Sequence, residues 1–438
     1  MTLTTPITVV RGRFLDIQKT VSQAQDIIDQ VRYIEDGVLI AKQGQIRWFG
    51  SWDDAQAHLP ANVEIQHYPE QLIIPGMIDT HIHFPQTEMV GAYGEQLLSW
   101  LNTYTFPTEI QFKEKAYAQQ IAKLFVNELL KNGTTTALVF CTVHPESVDA
   151  LFEAAAQQQM RLIAGKVMMD RHAPEALCDT AESAYEDSKA LIGKWHGQGR
   201  ALYAITPRFA PTSTPEQLER AGQLKAEFPD VYVHTHLSEN KDEIAWVKDL
   251  FPEQKGYLDV YHHYGLTGNR SVFAHCVHLE DAEWQCMHET DSAIAFCPTS
   301  NLFLGSGLFP LKKTWQQQVK VGLGTDIGAG TSFSLLQTVN EAYKVQQLQG
   351  DKLSAFESLY HATLGGAKAL DLDDKLGNFN VGKEADFVVL NLKPTALQQL
   401  RQSRSKSIED SLFALFTMGD DRNIEATYIY GQKAYSQS

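Results

Sequence analysis

The chain has 438 residues, 43% hydrophobic and 21% charged, with a formal net charge of −16. That length calls for one large domain with additions, and the composition is that of a globular protein. So acidic a chain argues against nucleic acid or an anionic membrane as partner, and no apolar run approaches a membrane span.

The five cysteines, Cys141, Cys178, Cys276, Cys286 and Cys297, are odd in number and show no CxxC spacing. A disulfide framework is not expected, and a reducing cytoplasm fits. No basic-then-apolar signal pattern opens the chain.

Residues 1–72 carry short β patterns at 7–15, 37–49 and 63–67. A hairpin turn is expected at Lys42-Gln-Gly-Gln45. The other end repeats the theme, with strands at 384–390 and 427–430 and a helical segment at 395–416. The two ends are expected to meet as one small β-sandwich domain, 1–72 with 376–438, beside a central domain of 73–375.

The central domain opens on Ile74-Pro-Gly-Met-Ile-Asp-Thr-His-Ile-His-Phe84. It reads as a strand entered through a Pro-Gly turn. Alternate side chains of a strand share a face, so Asp79, His81 and His83 point one way. Two such imidazoles stand ~7 Å apart at Cα, within reach of one metal ion. Seven further strands follow at 134–140, 161–169, 202–209, 231–236, 272–276, 293–297 and 319–326. Helical patterns separate most of them, at 113–131, 147–158, 180–195, 215–227 and 241–250. Eight strands alternating with helices read as a (β/α)8 TIM-like barrel, whose active site lies at the C-terminal strand ends. One connection, 85–110, is long and holds Gly91-Ala-Tyr-Gly94 and the apolar Leu97-Leu-Ser-Trp-Leu101. It reads as a lid, a dimer contact or plain packing on a neighbouring helix.

The polar candidates fall at the strand ends. His236 ends the fifth strand, with His234 two residues deeper, and Asp326 ends the eighth inside Gly322-Leu-Gly-Thr-Asp-Ile-Gly-Ala-Gly330. Its glycines allow close approach of backbone to a ligand. His81, His83, His236 and Asp326 make a set of three nitrogens and one oxygen with room for water. Ligands of those types suit one Zn2+ and also Fe2+. A metal with an open position generates hydroxide at neutral pH, and the chemistry then needs a proton shuttle. Glu239, three residues past His236, can carry that proton to a leaving group. His275, ending the sixth strand, can orient the hydroxide or stabilise an oxyanion. His278 reads as a packed residue. Taken singly, Asp326 also reads as a helix cap, Glu239 as a helix-initiating acid and Arg208 as a rim ion pair.

Pro75-Gly-Met-Ile-Asp-Thr-His-Ile-His83 resembles the opening motif of the amidohydrolase superfamily, and His236, His275 and Asp326 fall where its other strand-end residues lie. The resemblance runs from about residue 7 to 434. Two-metal members carry a carboxylated Lys at the end of the fourth strand. Here that strand ends in Pro207-Arg208-Phe209 and Lys166 lies on the third, so a single metal is implied. Within the superfamily, several motifs resemble the guanine-deaminating branch: His83-Phe-Pro-Gln86, Gly91-Ala-Tyr-Gly94, Phe106-Pro-Thr-Glu109, Thr206-Pro-Arg-Phe-Ala210, His236-Leu-Ser-Glu239, Cys297-Pro-Thr-Ser-Asn301 and Gly324-Thr-Asp-Ile-Gly-Ala-Gly330. The resemblance implies a cytoplasmic homodimer with one Zn2+ per subunit. It implies that hydroxide on the metal attacks C2 of guanine while Glu239 shuttles the proton, giving xanthine and ammonia. Gln86 and Arg208 would hydrogen-bond the base and Phe209 would pack near its ring, with His83, His236, Glu239 and Asp326 lining the same site. The rival readings are a mononuclear amidohydrolase acting on another aminated heterocycle or a cyclic amide, and a non-catalytic scaffold.

Overall fold

The computed structural model describes residues 7–93 and 97–437. The expected motif residue Gly94 lies outside the described residues.

Sixteen strands form among the described residues, and they divide between two sheets. The first sheet takes strands from both ends of the chain. These are β1 (Ile7–Ile17), β2 (Val31–Lys42), β3 (Gln45–Ser51) and β4 (Ile65–Pro75), with β14 (Phe387–Leu390), β15 (Ile424–Ile429) and β16 (Gln432–Ser436), in the order β16-β15-β14-β4-β1-β2-β3. A bridge from Gln45 to Glu384 brings the β3 edge back towards β14. The sheet therefore curls around a core of Phe14, Ile46, Phe379, Phe387 and Tyr428. The expected Lys42–Gln45 hairpin turn joins β2 to β3.

The second sheet is the barrel. It holds β5 (Met77–His83), β6 (Thr134–Phe140), β7 (Arg161–Gly165), the two-residue β8 (Val167–Met168), β9 (Leu202–Pro207), β10 (Tyr232–Leu237), β11 (Ser271–His275), β12 (Ala293–Phe296) and β13 (Lys320–Leu323). Every ladder in it is parallel, from β13 round to β5. Several strands are buried along their whole length, as helices on the outside and side chains on the inside require. The first and last strands meet through the Thr80 hydroxyl, which donates to the Leu323 carbonyl at 3.0 Å, and the Asp326 amide, which donates to the His81 carbonyl at 2.9 Å.

The barrel interior is apolar at the N-terminal end. Ile78, Leu138, Ile163, Tyr232 and Val272 pack there against Ala367, Leu370 and Leu376, so the helix Leu364–Ala369 and the turn after it plug the bottom. The C-terminal end is left for polar side chains.

Four expectations are corrected. The strand expected across 74–84 is two strands in different sheets, broken at Gly76, whose amide donates to the Asp386 carbonyl at 2.9 Å. A Cβ at Gly76 would stand 2.0 Å from the Thr135 hydroxyl, so only glycine fits this crossing. The strand expected across 161–169 is interrupted between β7 and β8 at Lys166, whose ammonium is drawn into a buried pair with Asp179. The eighth strand stops at Leu323, and Asp326 lies beyond it with φ 52°. The helix expected across 395–416 is two helices, Ala396–Gln402 and Ile408–Met418, because Ser407 caps the second by accepting from the Asp410 amide.

A buried ion network ties the two sheets together. Arg161 and Arg200, on the barrel side, share Glu384, and Arg200 also holds Asp386. Removing one partner of a buried network leaves the others uncompensated, which costs about 3–5 kcal/mol. Arg200→Met should therefore lower the thermal unfolding midpoint by several degrees in scanning calorimetry. An unchanged midpoint would show that the network does not hold the sheets together.

Candidate active site

Strand ends deliver the site residues one by one. β5 brings His81 and His83, β10 brings His236, β11 brings His275, and the loop after β13 brings Asp326. His81 Nε2 and His83 Nε2 lie 3.1 and 3.3 Å from Asp326 Oδ1, and His83 Nε2 lies 3.2 Å from His236 Nε2. Ligand atoms of His81, His83 and His236 all fall within 4.8 Å of one another, as do those of His81, His275 and Asp326. The four expected donors thus converge, and His275 joins them.

Hydrogen bonds behind the rings fix which nitrogen faces the centre. His236 donates from Nδ1 to the Arg208 carbonyl at 2.7 Å, so its Nε2 presents a lone pair. His81 Nδ1 is 2.8 Å from His234 Nε2, which makes His234 the deeper support that its position suggested. Phe140, at the end of β6, packs its ring against His81, His83, His234 and His236. Burial pushes the His83 imidazole down to about 3 and lowers His81, while His234 and His236 are held well below the ordinary imidazole range. Neutral imidazoles are what metal ligation needs. Burial alone would raise Asp326, but His81 and His83 outweigh it and hold the carboxyl well below the usual range.

The donor set passes a test of fit for a divalent cation. His81 Nε2, which faces the cluster, is buried with no hydrogen-bond partner beyond its ion-pair contact with Asp326. The facing Nε2 atoms of His83 and His236 leave two lone pairs opposed unless a proton or a cation lies between them. Three imidazole nitrogens and one carboxylate oxygen match a mononuclear site.

Glu239 and His275 stand beside this cluster. His275 Nε2 is 3.5 Å from Glu239 Oε2 and 3.8 Å from Asp326 Oδ2. Burial raises the Glu239 carboxyl, with His275 as the partial offset. Burial would lower His275, but Glu239 and Asp326 prevail and raise it. Both groups are placed to exchange a proton. His275 has φ 71°, in the left-handed region a non-glycine residue rarely adopts, and such strain clusters at functional sites.

His83, His236, Glu239, His275 and Asp326 line one cavity with Gln86, Arg208 and Phe209. Its empty space is about 430 Å³, the open solvent at its mouth included. Trp100 and Leu101 also line it, so the described part of the 85–110 connection covers the strand ends. His278 stays outside and bonds the Ser306 carbonyl.

Several contributing residues went unassigned in the sequence. Asn301 Oδ1 accepts from His275 Nδ1 at 2.9 Å, and the Ser306 hydroxyl donates to Glu239 Oε1 at 3.0 Å. Glu243, raised to about 7 by burial and by Glu239, accepts from the Glu239 and Asn240 amides and so fixes the turn that aims Glu239. Glu109 is wholly buried and pairs with Arg208. Asn301 and Glu109 sit inside motifs the resemblance had picked out. Asp79, on the same strand as the ligands, accepts from the His81 and Thr325 amides and ties β5 to the Asp326 loop. The glycines around Asp326 serve side-chain packing: a Cβ at Gly324 would stand 2.9 Å from His81 Cβ.

The sequence model of the amidohydrolase family matches residues 72–434, and the chain belongs to that family. It is 62% identical to the guanine deaminase of Escherichia coli strain K12 over 429 residues, 98% of each chain. The solved structure of E. coli guanine deaminase superposes with a TM-score of 0.96 at 60% identity, covering 99% of this chain and 100% of that one. The guanine deaminase of C. acetobutylicum, solved with guanine bound in its active site, superposes with a TM-score of 0.88 at 31% identity, covering 98% and 100%.

Loss of a ligand and loss of its support should differ in degree. His81→Ala should abolish stoichiometric metal in elemental analysis of the purified protein. His234→Ala should keep the site but weaken it by roughly 10- to 100-fold, the usual cost of an orienting partner. Equal metal content in His81→Ala and the parent protein would exclude His81 as a ligand.

Proposed function

We propose that the chain deaminates guanine hydrolytically to xanthine and ammonia. The observation that carries this reading is near-full-length similarity to a guanine deaminase in a chain whose candidate site is fully populated. The reading includes a single Zn2+ per subunit, held by His81, His83, His236 and Asp326. When bound, such an ion lowers the pKa of a coordinated water towards neutrality.

The chain's own residues supply the rest. Arg208 offers donors to O6 of the base, and Gln86 meets the adjoining ring edge. Phe209 packs along the ring, and Trp100 and Leu101 exclude water from above. Glu239 takes a proton from the water that attacks C2 and delivers it to the exocyclic nitrogen. The C2–N bond breaks, ammonia leaves, C2 keeps the oxygen as the new carbonyl, and the water's second proton ends on N3 of the ring. His275, oriented by Asn301, stabilises negative charge as the tetrahedral centre forms. The same reading carries a homodimer in a reducing cytoplasm, in keeping with five free cysteines.

Ammonia release across aminated purines, pyrimidines and triazines tests the substrate, with guanine expected to be turned over fastest. Glu239→Gln should keep metal and guanine binding but lose about 100- to 10,000-fold in kcat, since an amide cannot shuttle protons. A near-normal kcat in the zinc-replete variant would move that role elsewhere.

Arg208 should set the preference for guanine over 2,6-diaminopurine. Diaminopurine places an amino donor where guanine has an acceptor, and a guanidinium has only donors. Leaving a buried polar group unsatisfied costs about 1–3 kcal/mol, more for a charge, which is roughly ten- to a few hundred-fold in discrimination. Arg208→Ala should therefore lower kcat/KM for guanine much more than for diaminopurine. An equal fall for both substrates would assign Arg208 to support of the barrel rim.

A further inference from the structure

We propose that Glu109 is the positioning residue that determines how the base is read. It would do so by fixing which hydrogen-bonding atoms of Gln86 and Arg208 remain for a ligand. The inference deepens the guanine-deaminating reading and rests on it.

Glu109 belongs to the segment that covers the barrel, at the end of the short helix Phe106–Glu109. Its side chain is fully buried, an unusual place for a carboxylate unless it is paired. Both oxygens are engaged. Arg208 Nη1 donates to Oε1 and Oε2 at 3.0 and 2.8 Å, and Gln86 Nε2 donates to Oε1 at 3.3 Å. The Arg208 guanidinium also lies 5.6 Å from the centre of the Phe106 ring. One four-residue helix thus holds the arginine by an ion pair and by a ring contact.

The consequence for Gln86 follows from donor and acceptor rules. An ionised carboxylate only accepts, so the Gln86 amide must turn its NH2 group towards Glu109. The two ends of an amide have nearly the same shape, and the surroundings alone decide which end faces which way. With one N–H committed to Glu109, the amide keeps its second N–H and its carbonyl oxygen, and the oxygen is the acceptor it can offer. The loop after β13 leaves that oxygen room. Gly328 has φ 121°, and a Cβ there would stand 2.0 Å from Gln86 Oε1. On the arginine, Nη1 is committed and the Nε and Nη2 donors remain.

The cavity therefore presents arginine donors and a carboxamide acceptor side by side. Guanine offers the complement: O6 accepts and N1–H donates. In 2-aminopurine the leaving group at C2 is the same, but position 6 carries no acceptor and N1 accepts instead of donating. An acceptor on Gln86 opposite an acceptor at N1 cannot bond. Glu109, which never touches the base, thereby enforces the choice between the two.

The test is steady-state kinetics on guanine and 2-aminopurine, with metal content matched, in the parent protein and in Glu109→Gln. The introduced amide can donate as well as accept, so it releases Gln86 to turn over. The ratio of kcat/KM for guanine to that for 2-aminopurine should fall at least about tenfold. In Gln86→Leu, which has no amide to orient, adding Glu109→Gln should change the ratio much less, the coupling expected of residues that act as a unit. Should Glu109→Gln lose its fold, Glu109→Asp keeps the charge with a shorter reach and should shift the ratio in the same direction. A parent protein that turns over guanine while the ratio is unchanged in these variants would overturn the inference and leave the functional reading standing. A metal-replete parent protein that does not deaminate guanine would overturn both.

Discussion

The facing nitrogens of His83 and His236 impose the constraint on which the site depends. They stand 3.2 Å apart in the lining of the cavity, and His236 has already committed its Nδ1 proton to the Arg208 carbonyl. A proton on His83 Nε2 can bridge the two neutral rings, but it does nothing for the charge of the buried Asp326 carboxylate beside them. A divalent cation held by His81, His83, His236 and Asp326 would meet both demands. It would take up the opposed lone pairs and neutralise the buried carboxylate. Much of the surrounding structure serves this convergence. His234 braces His81 from below, Phe140 packs against four of the rings, and Asp79 ties the first strand to the loop of the last.

The barrel divides its interior to make this affordable in free energy. Its lower half is packed with aliphatic and aromatic side chains and plugged by the turn after the last barrel helix. That rigid floor lets the upper half carry strained backbone at Ser238, His275, Cys276 and Asp326, all with positive φ. The segment after β5 then closes the top. It brings Trp100 and Leu101 over the cavity and sends Glu109 down to Arg208, so the cavity lining is shared between barrel strands and their cover.

The barrel strands were legible in the sequence because they are short β-type runs separated by helical patterns, and β5, β10 and β11 carry a histidine at or next to their C-terminal end. β6 matches its expected span, and the helices at 215–227 and 241–250 match theirs. The His81-x-His83 spacing was readable because a strand turns alternate residues to one face. Other features were hidden for physical reasons. Ile73, Ile74, Met77 and Ile78 are all buried and apolar, so nothing in their pattern marks the change of sheet at Gly76. Ser407 looks like any other polar residue of a helix face until its side chain is seen to cap. Glu109, Asn301 and Ser306 act through contacts with residues 99, 26 and 67 positions away. No local periodicity encodes such distances, which is why motif resemblance marked Glu109 and Asn301 without explaining them.

X-ray absorption at the zinc edge of the metal-loaded protein tests the central claim most directly. The account predicts one ion with about four nitrogen and oxygen neighbours near 2.0–2.1 Å and the scattering pattern of imidazole rings. Sulfur neighbours near 2.3 Å, or a second metal at about 3.5–4 Å, would contradict it.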